Sequence, residues 1–200
     1  LYLCGIISQD GLFDESMMGR SKRIIKEGRT CSYLLHKGEP ELRITQNDIR
    51  AIQLAKAALY AGIRLLMDHL GIEEVERIRL AGAFGSHIDV KYAMILGLIP
   101  DCDLDHVSSA GNAAGTGARM ALLNHGSRRE IEETVRKIEK VETAVEPAFQ
   151  QHFVDAMAIP HKHAPSTHLQ KTVSLPEAKN NAQGNGDSTS RRRRSKRVVA

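Results

Sequence analysis

Between Thr45 and Gly71 the sequence carries 25 residues without proline, and this stretch constrains the fold more than any other. Thr45, with Asp48 three residues on, has the form of a capping box, and Gly71 provides a stop, so a single helix is expected from about residue 46 to 70. Stepped at about 100° per residue from Ile49, Ala51, Ile52, Leu54, Ala55, Ala58, Leu59, Ala61, Ile63, Leu65, Leu66 and Leu70 fill an apolar arc of roughly 200°. Such a helix is expected to be buried on most of its circumference. The remaining stripe collects Arg50, Gln53, Lys56, Tyr60, Arg64 and Asp68, and is expected to face either water or a ligand cleft.

Downstream the pattern changes to short strands alternating with helices. Val75 and Arg77–Ala81 read as a strand, Gly82-Ala83-Phe84-Gly85-Ser86 as a tight turn, and His87–Leu96 as a helix; Asp89 would favour that helix end through the macrodipole. His106–Ser109, Ala110-Gly111-Asn112 and Ala113–Asn124 repeat the order, and the small side chains of Ala113, Ala114, Gly115, Gly117, Ala118 and Ala121 allow a neighbouring backbone to approach. Ser127 and Glu130 read as a second capping box opening a helix to about Ile138. Lys140–Val145 then reads as a strand, and Ala148–Met157 as a helix ended by Pro160. At the front, Leu1–Ile7 reads as apolar helix, and Gly11-Leu12-Phe13 and Cys31–Leu35 as short strands. The class is α/β.

Composition bounds the rest. The 200 residues are 42 % hydrophobic and 26 % charged, as in an ordinary globular domain, and no run of about 18 apolar residues supports a membrane span. No charged stretch leading into an apolar core marks a secretory signal. A soluble, cytoplasmic protein is expected, and the start on Leu1 reads as the C-terminal part of a longer one. Cys4, Cys31 and Cys102 are an odd number at wide spacings, which argues for free thiols and against a disulfide framework or a four-thiolate metal site. The net charge of +4 is uneven: residues 177–200 carry +5 and residues 1–176 carry −1. Low hydrophobicity and high charge predict disorder from about residue 165 onward. The Arg191–Arg197 cluster reads as a solubilising tail, with contact to nucleic acid or anionic surfaces as the alternative; no aromatic residues are interleaved.

Candidate chemistry is sparse. A glycine turn between a strand end and a helix start is where α/β proteins bind nucleotides, because backbone N–H groups point into the crevice. Gly82 and Gly85 fit that need, or serve the turn's geometry alone. Neither the phosphate-loop nor the dinucleotide fingerprint is present. His87, His106 and the His161–His163 pair lack partners at metal spacing, and Asp101, Asp103 and Asp105 lack the glycine and closing glutamate of a calcium loop. No metal ligands and no catalytic residues are assigned.

Three stretches in order are more specific than their parts: Ile44–Ala58 (ITQNDIRAIQLAKAA), Leu80–Asp89 (LAGAFGSHID) and Gly111–Ala118 (GNAAGTGA). Together with Phe153–Pro160 they resemble the C-terminal part of the reductive activators of corrinoid proteins, relatives of the actin, sugar kinase and heat-shock chaperone ATPases, over roughly residues 1–160. The resemblance implies the second lobe of a ribonuclease H-like, actin-like ATPase domain over 1–160, followed by a disordered basic tail over 161–200. It implies ATP with Mg2+ as cofactor, a corrinoid protein whose cobalt is returned from Co(II) to Co(I) as partner, and an iron–sulfur domain upstream. By the same resemblance Gly82, Ala83, Phe84 and Gly85 match the turn that holds adenosine, and Gln53 and Lys56 would face the nucleotide from the long helix. The iron–sulfur cysteines, first phosphate loop and metal-binding acids of the family are not matched here, so this chain alone is expected to be inactive. A sugar-kinase-like phosphotransferase lobe and a non-catalytic binding module remain as alternatives.

Overall fold

The computed structural model describes residues 1–143 and 145–176. Strands β1 (Ile24–Glu27), β2 (Thr30–His36) and β3 (Leu42–Thr45) form an antiparallel sheet in that order. Helix α1 (Gln46–Leu70) follows directly. Next come β4 (Ile78–Ala81), α2 (Gly82–His87), α3 (Val90–Leu96), β5 (Val107–Gly111) and α4 (Ala113–Leu123). Helices α5 (His125–Val135), α6 (Phe149–Asp155) and α7 (Thr167–Thr172) complete the order. β4 and β5 pair in parallel as a separate two-stranded sheet. The expected α/β class is the one observed.

α1 forms where its caps place it. The Thr45 hydroxyl accepts the Asp48 N–H while the Asp48 carboxylate accepts the Thr45 N–H, and this keeps the Asp48 pKa below its ordinary value. At the other end Gly71, at φ 64°, takes the left-handed conformation that closes the helix. The orientation of α1 departs from the sequence expectation, although Ala61 and Leu65 of the apolar arc are buried as expected. Ile52, Leu54, Leu59, Leu66 and Leu70 of the apolar arc are exposed, whereas Gln53, Lys56 and Tyr60 of the polar stripe are buried. The physical reason is a covering segment that periodicity does not reveal: α6 and residues 156–160 lie over the polar stripe and supply it with carbonyl acceptors.

The main core gathers Tyr2, Ile7, Ile49, Ala93, Met94, Ile95, Ile99, Cys102, Val107, Ile159, Leu169 and Val173. Two smaller clusters sit beside it, Ile6 with Ile24 and Cys31, and Ala57 with Tyr60 and Ala156. Leu169 and Val173 correct the expected boundary: residues 161–176 are not a disordered tail, because α7 inserts Leu169 into the core. Asp101 receives the start of α7, its carboxylate accepting the His168 N–H at 2.7 Å and the Leu169 N–H at 2.9 Å. The expected disorder of residues 177–200 and the role of their arginine cluster lie outside the described residues.

Other local expectations shift. Leu1–Ile6 is a capped turn, with Gly5 at φ 68°. The glycine turn is itself the short helix α2, and Asp89 is the N-cap of α3, accepting the Tyr92 N–H at 3.0 Å. Asn124, not Ser127, caps α5, and Ser127 is buried inside it. The strand expected over 140–145 is absent among the described residues, where 140–142 lie outside regular structure and 143 and 145 are turns. Leu12-Phe13 contributes a single bridge, Ile7 to Phe13, instead of a strand.

Candidate functional site

The two parallel strands bring two glycine turns to one edge. In register, Leu80 pairs with Ser109 and Ala81 with Gly111, so β4 runs into Gly82 and β5 ends in Gly111 at the same edge of the sheet. Each strand then turns into a helix, α2 and α4. Both glycines have positive φ, 95° at Gly82 and 61° at Gly111, a conformation that side chains rarely adopt. A Cβ built on either glycine would meet nothing within 4 Å, so the space above both turns is open.

The residues of the first turn divide between two tasks. Gly85 is buried against β4, where a Cβ would lie 2.9 Å from the backbone carbon of Leu80; glycine here lets α2 press onto the strand. Gly82 faces open space, Ala83 is exposed, and the Phe84 ring is 72 % exposed. The Ser86 hydroxyl donates back to the Gly82 carbonyl at 2.9 Å, and His87 Nδ1 lies 2.8 Å from the Ala83 carbonyl, which ties polar side chains along the helix. Ala81 offers no side-chain cap to the start of α2. In the second turn Asn112 accepts the Gly115 N–H at 2.9 Å and fixes the entry to α4. The pairing of Gly111 and Asn112 with the first turn was missed from sequence as part of a site; the only signal was their position between a strand and a small-residue helix. Chemically, the edge offers an exposed aromatic ring and open backbone, which suit binding.

Gln53 and Lys56 are elsewhere. They are 2 % and 0 % exposed, and the structure does not bring them to the glycine turns. Lys56 Nζ donates to the carbonyls of Ala156 at 2.5 Å, Ala158 at 2.5 Å and Pro160 at 2.8 Å, one acceptor for each proton of an ammonium. Gln53 Nε2 donates to Asp10 at 3.0 Å and Met157 at 2.8 Å. These two side chains therefore tie α1 to residues 156–160 and have no donor left for a nucleotide. Burial lowers the Lys56 pKa to about 7. Next to it, His161 stacks on Tyr60 with ring centroids 4.8 Å apart, and its Nδ1 accepts the Ala164 N–H at 2.8 Å and the His163 N–H at 3.1 Å. An accepting Nδ1 belongs to the neutral ring, and burial, followed by the charge of Lys56, lowers the His161 pKa to about 4. The segment sits on the end of α3 at Gly97, where a Cβ would lie 1.9 Å from the Pro160 carbonyl oxygen.

Cys31 and Cys102 are buried free thiols whose pKa values burial raises, and Cys4 is an exposed free thiol. Among the described residues no group of three His, Cys, Asp or Glu is placed to hold a metal ion, and no helix is long and apolar enough to cross a membrane.

Comparison with known proteins identifies the family. The chain is 41 % identical over 116 residues to the corrinoid activation enzyme RamQ of Eubacterium limosum, a match covering 57 % of this chain and 20 % of that protein. Its fold is similar to the solved reductive activator for corrinoid, iron-sulfur protein, with a TM-score of 0.68 and 32 % identity over 80 % of this chain and 26 % of that one. The matches thus span about a fifth to a quarter of these relatives' length. Residues 1–170 match the model of the C-terminal domain of RACo, the ASKHA domain, and the chain belongs to that family.

Proposed function

We propose that this chain is the adenosine-binding part of an ATP-dependent reductive activator that returns a corrinoid protein from inactive Co(II) to Co(I). The observation that carries the reading is the open edge at Gly82 and Gly111, side by side at the ends of two parallel strands. An adenosine fits such an edge: the missing side chain at Gly82 leaves the backbone bare, and the Phe84 ring supplies an apolar surface. Gly85 acts one step back, by setting α2 against β4. ATP hydrolysis would supply the free energy for a one-electron reduction that is uphill on its own, with the electron drawn from an external reductant. Mg2+ and an iron–sulfur centre belong to the proposed whole activator, held by parts other than the residues described. The proposed site is in cytoplasmic company, with the corrinoid protein as partner.

The sugar-kinase-like alternative shares the fold, but both relatives reported above are corrinoid activators by name, and neither is a kinase. The direct test is Gly82→Val in the whole activator. A Cβ at φ 95° strains the turn and fills the space an adenosine needs, so ATP binding should weaken at least about tenfold, roughly 1.4 kcal/mol. A thermal melt run beside the titration confirms that the variant is folded. A folded Gly82→Val protein that binds ATP as the parent does would refute the adenosine assignment.

A further inference from the structure

Among the described residues, nothing packs on the exposed side of α1. Ile52, Leu59 and Leu66 recur every seven residues and are 46 %, 47 % and 51 % exposed. Between them stand small residues at the same spacing, Ala55 and Gly62. This alternation of large and small residues over about 21 Å of helix gives ridges with gaps between them, which is the surface a second helix packs against. No charged side chain from Ala51 to Leu66 points along it. A contiguous apolar surface of this length is uncommon on a finished domain.

What covers it is indicated at its upper end. Ile52 also lines an apolar cavity of about 470 Å³ that Leu1, Tyr2, Leu3 and Cys4 line as well. Those residues carry the complete hydrogen-bond signature of a helix C-terminus. The Ile6 N–H donates to the Leu1 carbonyl at 3.0 Å, the Gly5 N–H donates to the Tyr2 carbonyl at 2.8 Å, and Gly5 is left-handed at φ 68°. Leu1 also packs against the small cluster that contains Ile6, the kind of apolar contact that accompanies this motif. Residues 1–4 thus have the geometry of a last helical turn, and they line the same cavity as Ile52 at the start of the α1 stripe.

We propose that the Ile52–Ala55–Leu59–Gly62–Leu66 stripe seats an amphipathic helix whose last turn is residues 1–4. The cavity is the gap which that helix closes, and its contact side is aliphatic, since the stripe offers neither charge nor hydrogen-bonding side chains. This packing is independent of the nucleotide reading.

The test is the pair Leu59→Lys and Leu66→Lys, made both in the 200-residue chain and in the protein expressed from its complete coding sequence. In the 200-residue chain both positions face water, so the urea midpoint is expected to hold while binding of an apolar dye falls. In the complete protein the lysines are forced beneath a helix, and the folded-to-unfolded ratio is expected to fall at least about a hundredfold. If that variant does not fold at all, Leu59→Ala, which removes contact without adding charge, should lower the ratio at least about tenfold in the complete protein and leave the shorter chain unchanged. Equal tolerance of the lysines in both proteins overturns the proposal. So does a concentration-dependent dimer of the 200-residue chain that Leu59→Lys dissociates while the complete protein is unaffected, because the occupant is then a second copy.

Discussion

Replacing Lys56 with methionine separates the two roles its sequence position allows. Methionine keeps the length and apolar stem of the side chain but has no proton to donate. In the folded chain the carbonyls of Ala156, Ala158 and Pro160, at 2.5, 2.5 and 2.8 Å from Nζ, all lose their shared donor. A buried acceptor left without a partner costs about 1–3 kcal/mol. Against three such losses stands the relief of no longer burying an ammonium, a burden visible in the pKa lowered to about 7. Because the acceptors are neutral carbonyls and no uncompensated charge is left behind, the net loss expected is about 2–4 kcal/mol. That is a large share of the total stability of a domain, about 5–15 kcal/mol. Urea unfolding of Lys56→Met and the parent, fitted with a common slope, reads the difference; amide exchange should show the loss centred on residues 149–160. Exposed Lys91→Met serves as a control and should change nothing measurable. A Lys56→Met protein as stable as the parent but unable to bind ATP would refute the reasoning, and would return Lys56 to the nucleotide.

Three further outcomes follow from particular contacts. Gly85→Ala should cost about 1–3 kcal/mol in a thermal melt, since its Cβ would lie 2.9 Å from the Leu80 backbone and α2 must shift. His161 is neutral in the fold with a pKa lowered from 6.5 to about 4, so below pH 6.5 the unfolded chain takes up a proton that the folded chain refuses. Stability from this group is therefore complete above pH 6.5 and is lost as the pH falls towards 4, about 3 kcal/mol in all, and His161→Phe should flatten that limb of the denaturation profile. Asp101→Ala should remove the acceptor of two backbone N–H groups of α7, cost about 1 kcal/mol, and speed tryptic cleavage at Lys171.

The parts of the fold that local chemistry determines were readable in advance. The capping box of Thr45 and Asp48 and the stop at Gly71 bounded α1 correctly, and glycine between strand and helix located both turns. What failed was the assignment of α1's faces. Periodicity distinguishes polar from apolar sides but does not say which is covered, and here carbonyls of residues 156–160, a hundred or more positions away, bury the middle of the polar side at Gln53, Lys56 and Tyr60. α7 is not legible for a similar reason: its one apolar residue, Leu169, matters only because Asp101 accepts the first N–H groups of the helix and the core receives that side chain. In the candidate site, Gly82 and Gly85 looked equivalent in sequence. Only the position of Leu80 shows that one glycine is required for packing while the other leaves space open.

We propose that this chain belongs to a protein in which ATP drives the reduction of a corrinoid cobalt. The measurement that tests it most directly is the visible spectrum of a Co(II) corrinoid protein mixed with the whole activator and a reductant, with and without ATP. Conversion to Co(I) that requires ATP, and that slows when Gly82→Val replaces the parent, is the predicted result; equal conversion in the absence of ATP contradicts it.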